Sequence, residues 1–151
     1  MNLDFELDGV RFNARAAAII YNSDKTKVLL FNIPGRDYYM LPGGRIETFE
    51  DSKTAIYREI KEELGYDLEY NLCSIQENFL EKDGKKIMQY CFCYSAIYDG
   101  DIKNEPFLSK DNPNQYFSWL DLDKISDFKI VPESTYILFN ENNIKHIIER
   151  V

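Results

Sequence analysis

The chain has very little histidine and cysteine for its 151 residues: one histidine, His146, and three cysteines, Cys73, Cys91 and Cys93. An odd number of cysteines with no C-x-x-C pair argues against a disulfide framework and fits a reducing compartment. The lone histidine lies far along the chain from any cysteine pair, so a zinc site is not expected. No run of lysine or arginine is present, and the formal net charge is −8, from 26 acidic and 18 basic side chains. A negative field of that size repels polyanions, so long nucleic acid is an unsuitable partner. No apolar stretch approaches 18 residues, and Met1-Asn2-Leu3-Asp4 lacks a charged-then-apolar signal pattern. These absences predict a cytoplasmic protein with no membrane association.

Hydrophobic residues make up 44% of the chain and aromatics 15%, which excludes a disordered polymer. The length suits one domain spanning residues 1–151, able to bury roughly 68–70% of its unfolded surface. No repeat, linker or low-complexity segment divides it.

Phe12–Tyr21 and Lys27–Asn32 read as strands joined by the turn Asn22-Ser23-Asp24. Asp37–Leu41 reads as a short strand stopped by Pro42-Gly43-Gly44. A helix is predicted from about Glu50 to Leu64, with Gly65 placed for a left-handed C-terminal cap. Thr48 and Asp51 resemble a weak capping box at its start. Strands follow at Asn71–Phe79 and Lys86–Tyr98 around the turn Lys82-Asp83-Gly84, and a late strand at Gln115–Leu122. A helix after Pro132 and a short apolar segment ending at Val151 complete the reading. Strands interspersed with two helices predict an α/β domain with a mixed sheet packed between helices.

The informative stretch is LPGGRIETFEDSKTAIYREIKEELGY, residues 41–66. Glu59, Glu62 and Glu63 are related by i, i+3 and i+4 steps and are therefore neighbours on the helix. Their mean direction lies roughly 110° from that of Ile56, Ile60 and Leu64, so they flank the buried stripe. Like charges at this spacing destabilise a helix by about 0.2–0.5 kcal/mol per pair when exposed. Taken alone they suit a solvated Glu/Lys helix. A divalent cation would reverse the sign of the repulsion, and oxygen-only ligands favour Mg2+ or Mn2+.

The surroundings change that weighing. Gly44, Glu50, Arg58-Glu59, the aliphatic Ile60, Glu62-Glu63 and Gly65 stand at fixed intervals. Chance would place seven such identities in one window on the order of once in 10^8. The pattern, Gly44 to Tyr66, resembles the Nudix box of the Nudix hydrolase family. It departs at two positions: Phe49 stands where glycine is frequent, and Tyr66 where an aliphatic is usual. Neither removes a ligand.

The resemblance implies a Nudix-like α/β/α sandwich that hydrolyses a diphosphate linkage in a nucleoside diphosphate derivative, ADP-ribose or a nucleotide sugar being favoured. It implies metal ligands at Glu59, Glu62, Glu63 and the Gly44 carbonyl. Glu50 and Arg58 become a supporting pair, and Glu59 the first choice of general base. Glu77, Glu81 and Glu105 are the candidates outside the box. A homodimer is compatible with family habit.

Strand alternation sets Arg11, Asn13 and Arg15 on one face, which makes Arg15 and the loop residue Arg45 candidate phosphate clamps. Tyr39, with Tyr38, could stack on a base. Phe31 and Trp119 suit the core. The competing readings are a nucleotide-binding or sensor module that has lost catalysis, and an isomerase of allylic diphosphates. The retained carboxylates oppose the first; the lack of a cysteine near the box loop opposes the second.

Overall fold

A computed structural model describes residues 1–139 and 143–150. Among the described residues, nine strands form one mixed sheet. They are β1 (Asp4–Leu7), β2 (Val10–Asn22), β3 (Lys27–Asn32), β4 (Gly43–Arg45), β5 (Asn71–Lys82), β6 (Lys85–Tyr98), β7 (Phe107–Leu108), β8 (Tyr116–Asp121) and β9 (Lys145–Arg150). The order along the main path is β7-β8-β3-β2-β6-β5-β9. β2 is the spine. It runs parallel to β6 from Val10↔Lys86 to Asn22↔Tyr98 on one edge. Its other edge is shared in succession by β1 at residues 10–13, β4 at 15–17 and β3 at Tyr21.

The alternation of β2 divides two cores. Ala14, Ala16, Ala18 and Ile20 pack under the α-helix α1 (Ser52–Leu64), with its buried Ala55, Ile56, Ile60 and Leu64. Full burial of each such isoleucine or leucine contributes about 1.5–3 kcal/mol. Ala17, Ile19 and Tyr21 face the opposite side, where Leu122, Ile125 and Phe128 and then Tyr136 and Leu138 cover them. Those residues belong to or follow two 3-10 segments, Leu122–Asp127 and Glu133–Leu138. The expected sandwich is present, with one layer made of 3-10 turns. Among the described residues no helix is long and apolar enough to cross a membrane.

The differences from expectation have local causes. The helix begins at Ser52, because Asp51 caps it: its Oδ1 accepts from the Thr54 amide at 2.8 Å. Thr48 instead donates to the Met1 carbonyl. Asp37–Leu41 makes only single bridges, Phe31↔Met40 and Tyr39↔Ile130, and the regular strand falls on Gly43–Arg45. Glycine is what allows this pairing, since a Cβ on Gly43 would lie 2.1 Å from the Ala16 carbonyl oxygen. The segment after Pro132 closes as a 3-10 turn, not as the expected helix. β1 was not anticipated. It pairs with β2 through a two-residue turn in which Asp8 and Gly9 both have positive φ, the turn that Asp-Gly favours. The apolar end segment is the parallel edge strand β9; its last residue, Val151, lies outside the described residues.

Candidate active site

α1 brings the box carboxylates to the junction where β4 wedges against β2. Arg58 is the hub. Its Nε and Nη2 donate to the two oxygens of Glu50, each at 2.9 Å, and Nη2 also donates to the Arg45 carbonyl at 3.1 Å. Its Nη1 donates to Glu59 at 2.8 Å and lies 3.6 Å from Glu62 and 3.9 Å from Glu47. Glu50 is further fixed by the Glu47 amide at 3.0 Å. These contacts hold the Glu50 carboxyl below its ordinary range, chiefly through the Arg58 hydrogen bonds. The loop, the β4 carbonyl and the helix are thus tied by one guanidinium, in the bidentate geometry that only arginine provides.

Glu59 is half-buried and Glu63 is buried. Burial pushes the Glu59 carboxyl up, while Arg58 pulls it down. Glu63 is 7% exposed, and burial, followed by repulsion from Glu59, raises its carboxyl to about 8. Arg15 opposes that rise, and Asp111 and Gln115 also act on this group. Glu63 Oε2 is buried with no hydrogen-bond partner. A buried carboxylate oxygen left in that condition costs several kcal/mol unless it meets a cation or a proton.

The Glu59 carboxyl lies directly over Gly44, where an added Cβ would stand 2.3 Å from its carboxyl carbon. Glycine at 44 therefore keeps backbone and carboxylate in close approach, as a shared metal would require. Glu62 is half exposed at the edge of the cluster. Among the described residues no three acidic, histidine or cysteine side chains form a ready coordination shell; Arg58 occupies Glu59. The donor set still fits Mg2+ or Mn2+: carboxylate oxygens, one of them orphaned, beside a backbone bared by glycine.

Arg15 and Arg45 are cross-strand partners on β2 and β4. Arg15 donates to the Leu41 carbonyl at 2.8 Å, and Arg45 Nε lies 3.5 Å from Asp4. Burial and then Arg15 lower the proton affinity of Arg45. Both line a cleft of about 180 Å³ with Gln76, Asn78, Gln89 and Thr135.

The remaining candidates lie elsewhere. Tyr39 packs edge-on against Phe128, ring centres 5.6 Å apart, and its neighbours Met40 and Leu41 line the cleft instead. Tyr38 sits beside Arg36. Phe31 and Trp119 are in the core. Glu77 is bound to His146 at 2.6 Å, and Glu81 and Glu105 are exposed; none of the three lines the cleft. Arg11 pairs with Asp4.

Sequence reasoning missed Asp111, which Ser109 orients at 2.9 Å, and the amides Gln76, Asn78 and Gln89. A signal existed for the amides: Gln76 and Asn78 alternate along β5 at positions where an inward face would be apolar.

The fold and this carboxylate–arginine cluster define a Nudix domain. The NUDIX domain family model matches residues 11–140, and the chain belongs to that family. It is 35% identical over 103 residues to Nudix hydrolase 1 of Caenorhabditis elegans, covering 66% of this chain but 27% of that protein's length. It is 31% identical over 134 residues to the RNA pyrophosphohydrolase of a Nitratiruptor species, covering 81% of this chain and 79% of that one. The solved MutT protein of Bacillus halodurans shares the fold at a TM-score of 0.71 and 19% identity, covering 89% of this chain and 86% of that one.

Proposed function

We propose that this chain hydrolyses the diphosphate linkage of a nucleoside diphosphate derivative with the help of Mg2+ or Mn2+. The observation that carries the reading is the Glu63 carboxylate, buried with an unpartnered oxygen and acted on by both Glu59 and Arg15, while Glu59 lies over Gly44 and Arg15 pairs across strands with Arg45. Two neighbouring guanidiniums repel each other, and a bridging diphosphate anion would relieve that repulsion, as a divalent cation would relieve the acidic crowding opposite.

Glu59, Glu62, Glu63 and the Gly44 carbonyl are the residues that would hold the cation. When bound, such an ion lowers the pKa of water and offsets charge developing on phosphate oxygens. Arg15 and Arg45 orient the diphosphate from the β2–β4 side. Arg58 and Glu50 fix the helix against β4 and its glycines, so that Glu59 stays in place to accept the proton of the attacking water. The raised affinity of Glu63 for a proton marks a group in need of a positive partner, which suits a ligand better than a base. The phosphorus–oxygen bond of the bridge breaks as the water oxygen bonds to phosphorus, leaving a monophosphate on each fragment or releasing inorganic phosphate.

ADP-ribose and nucleotide sugars remain the first substrates to try, with RNA 5′ ends included because the Nitratiruptor relative carries that name. The test is a diphosphate panel incubated with Mg2+ or Mn2+ and resolved by mass. Metal-dependent release of a nucleoside monophosphate supports the reading. No turnover of any compound under either metal would refute it and favour a binding module.

A further inference from the structure

The segment before β2 contributes a carboxylate that the hydrolytic cluster does not use. Residues 1–4 lie between β2 and the stretch that follows β4. The Leu3 amide donates to the Ile46 carbonyl at 2.7 Å, and the Ala14 amide donates to the Leu3 carbonyl at 3.0 Å. The Thr48 amide and hydroxyl both donate to the Met1 carbonyl, at 2.8 and 2.9 Å. Asn2 bridges to Glu47, and Asp4 stands opposite Asn13. Backbone bonds on two sides therefore fix where the Asp4 side chain begins.

That side chain is shared between two arginines. Arg11 Nε and Nη2 donate to its two oxygens at 2.8 and 2.6 Å, and Arg45 Nε donates to Oδ2 at 3.5 Å. The Arg11 hydrogen bonds lower the Asp4 carboxyl to about 2, so it stays charged at any working pH. Long side chains of like charge separate unless each is held, because repulsion and rotamer entropy act together. Arg15 is held by the Leu41 carbonyl at 2.8 Å. Arg45 is held by Asp4. Among the described residues no other hydrogen bond or ion pair fixes the Arg45 guanidinium.

We infer that Asp4 is a positioning residue for substrate binding: it holds Arg45 beside Arg15 so that both guanidiniums meet one diphosphate. The inference rests on the reading of Arg15 and Arg45 as the diphosphate clamp. Asp4 engages Nε, which leaves the two Nη nitrogens of Arg45 for phosphate oxygens. The charge of Asp4 also opposes an incoming anion, so orientation and repulsion compete. Orientation wins, because Arg11 already offsets the carboxylate through two short bonds, whereas an untethered Arg45 loses its fork geometry. A role confined to stabilising the β1–β2 hairpin is the weaker account, since Arg11 is half exposed and exposed ion pairs contribute little.

The full chain with Mg2+ is titrated calorimetrically with methylenediphosphonate, whose P–C–P bridge resists hydrolysis. The variants form a cycle of Asp4→Asn, Arg45→Gln and the two combined. Arg45→Gln should weaken binding about tenfold, Asp4→Asn by a similar factor, and the combined variant by little more than either. Asp4→Glu should retain more affinity than Asp4→Asn. Arg11→Gln removes the shorter Asp4 bonds and should stay within about threefold of the unmodified chain. Unchanged or tighter binding in Asp4→Asn, or losses that multiply in the combined variant, would overturn the positioning role. If Asp4→Asn fails to fold, the Arg45 Nε–H proton of the unmodified chain decides, assigned by its loss in Arg45→Gln. Slow exchange of that proton with solvent supports the contact, and exchange as fast as in free arginine overturns it. An Arg45→Gln variant that binds as tightly as the unmodified chain overturns the clamp and this inference together. Loss in Arg45→Gln without loss in Asp4→Asn overturns the inference alone, and neither result depends on turnover of any diphosphate.

Discussion

Arg58 grips Glu50 through two parallel hydrogen bonds of 2.9 Å each, on side chains 25% and 11% exposed. The pair joins residues eight apart and, with the Arg45 carbonyl, ties the middle of α1 to the segment before it and to β4, which carries Gly44. Lysine at 58 would keep the charge but lose the fork and the simultaneous contacts to the Arg45 carbonyl and Glu59. Arg58→Lys should lower kcat by about 10–100-fold, the usual effect of losing an outer-shell partner. Steady-state kinetics at saturating Mg2+ check this, and an unchanged kcat would remove the positioning role.

Glu62→Gln and Glu63→Gln should each reduce turnover to background while leaving the fold intact by circular dichroism. Full activity in either variant contradicts the proposed ligand set.

Glu63 also predicts how stability depends on pH. Its carboxyl rises from 4.5 to about 8 on folding, so the folded chain binds the proton more tightly than the unfolded one. The contribution is present below about 4.5 and is lost as pH rises through about 8. In chelator, Tm should therefore fall between pH 5 and pH 8.5, and Glu63→Gln should lessen that fall. Thermal melts across this range, with and without Mg2+, decide it; a Glu63→Gln profile parallel to the unmodified one would sink the assignment.

Gly43 and Gly44 predict different failures. A Cβ at 44 meets only the end of the Glu59 side chain, whereas at 43 it meets the Ala16 backbone. Gly44→Ala should keep its Tm within a few degrees and lose about 100-fold in kcat through displacement of Glu59. Gly43→Ala should be destabilised, by about 3 kcal/mol, because the β2–β4 pairing must open. Melting curves and kinetics on both variants distinguish the two.

Phe49, where glycine is frequent in the family, adopts φ +63° with its ring wholly in solvent. The left-handed conformation costs a non-glycine residue about 1–2 kcal/mol, and the exposed ring returns little. Phe49→Gly should raise Tm by about 2–4 °C, since flexibility gained by the unfolded chain offsets part of the relief. A lower Tm would mean that the ring stabilises the loop.

Sequence alone determined what depends on short range. The spacing of Glu59, Glu62 and Glu63 on a helix, the cap at Gly65 and the alternation of Asn13 and Arg15 on β2 all follow from helical and strand periods. So does the family, because its box lies within 23 contiguous residues. Tertiary structure decided what depends on register between distant segments. Arg15 meets Arg45 because β4 pairs with β2 through glycines, and Asp111 reaches Glu63 across a loop 48 positions away. Asn13, Gln89 and Asn78 make one row only because β2, β6 and β5 align at those rungs. Strand periodicity states which face a side chain takes, but not which partner stands beside it. That partner is fixed by backbone pairing and core packing over the whole sheet, and a linear pattern carries little of either.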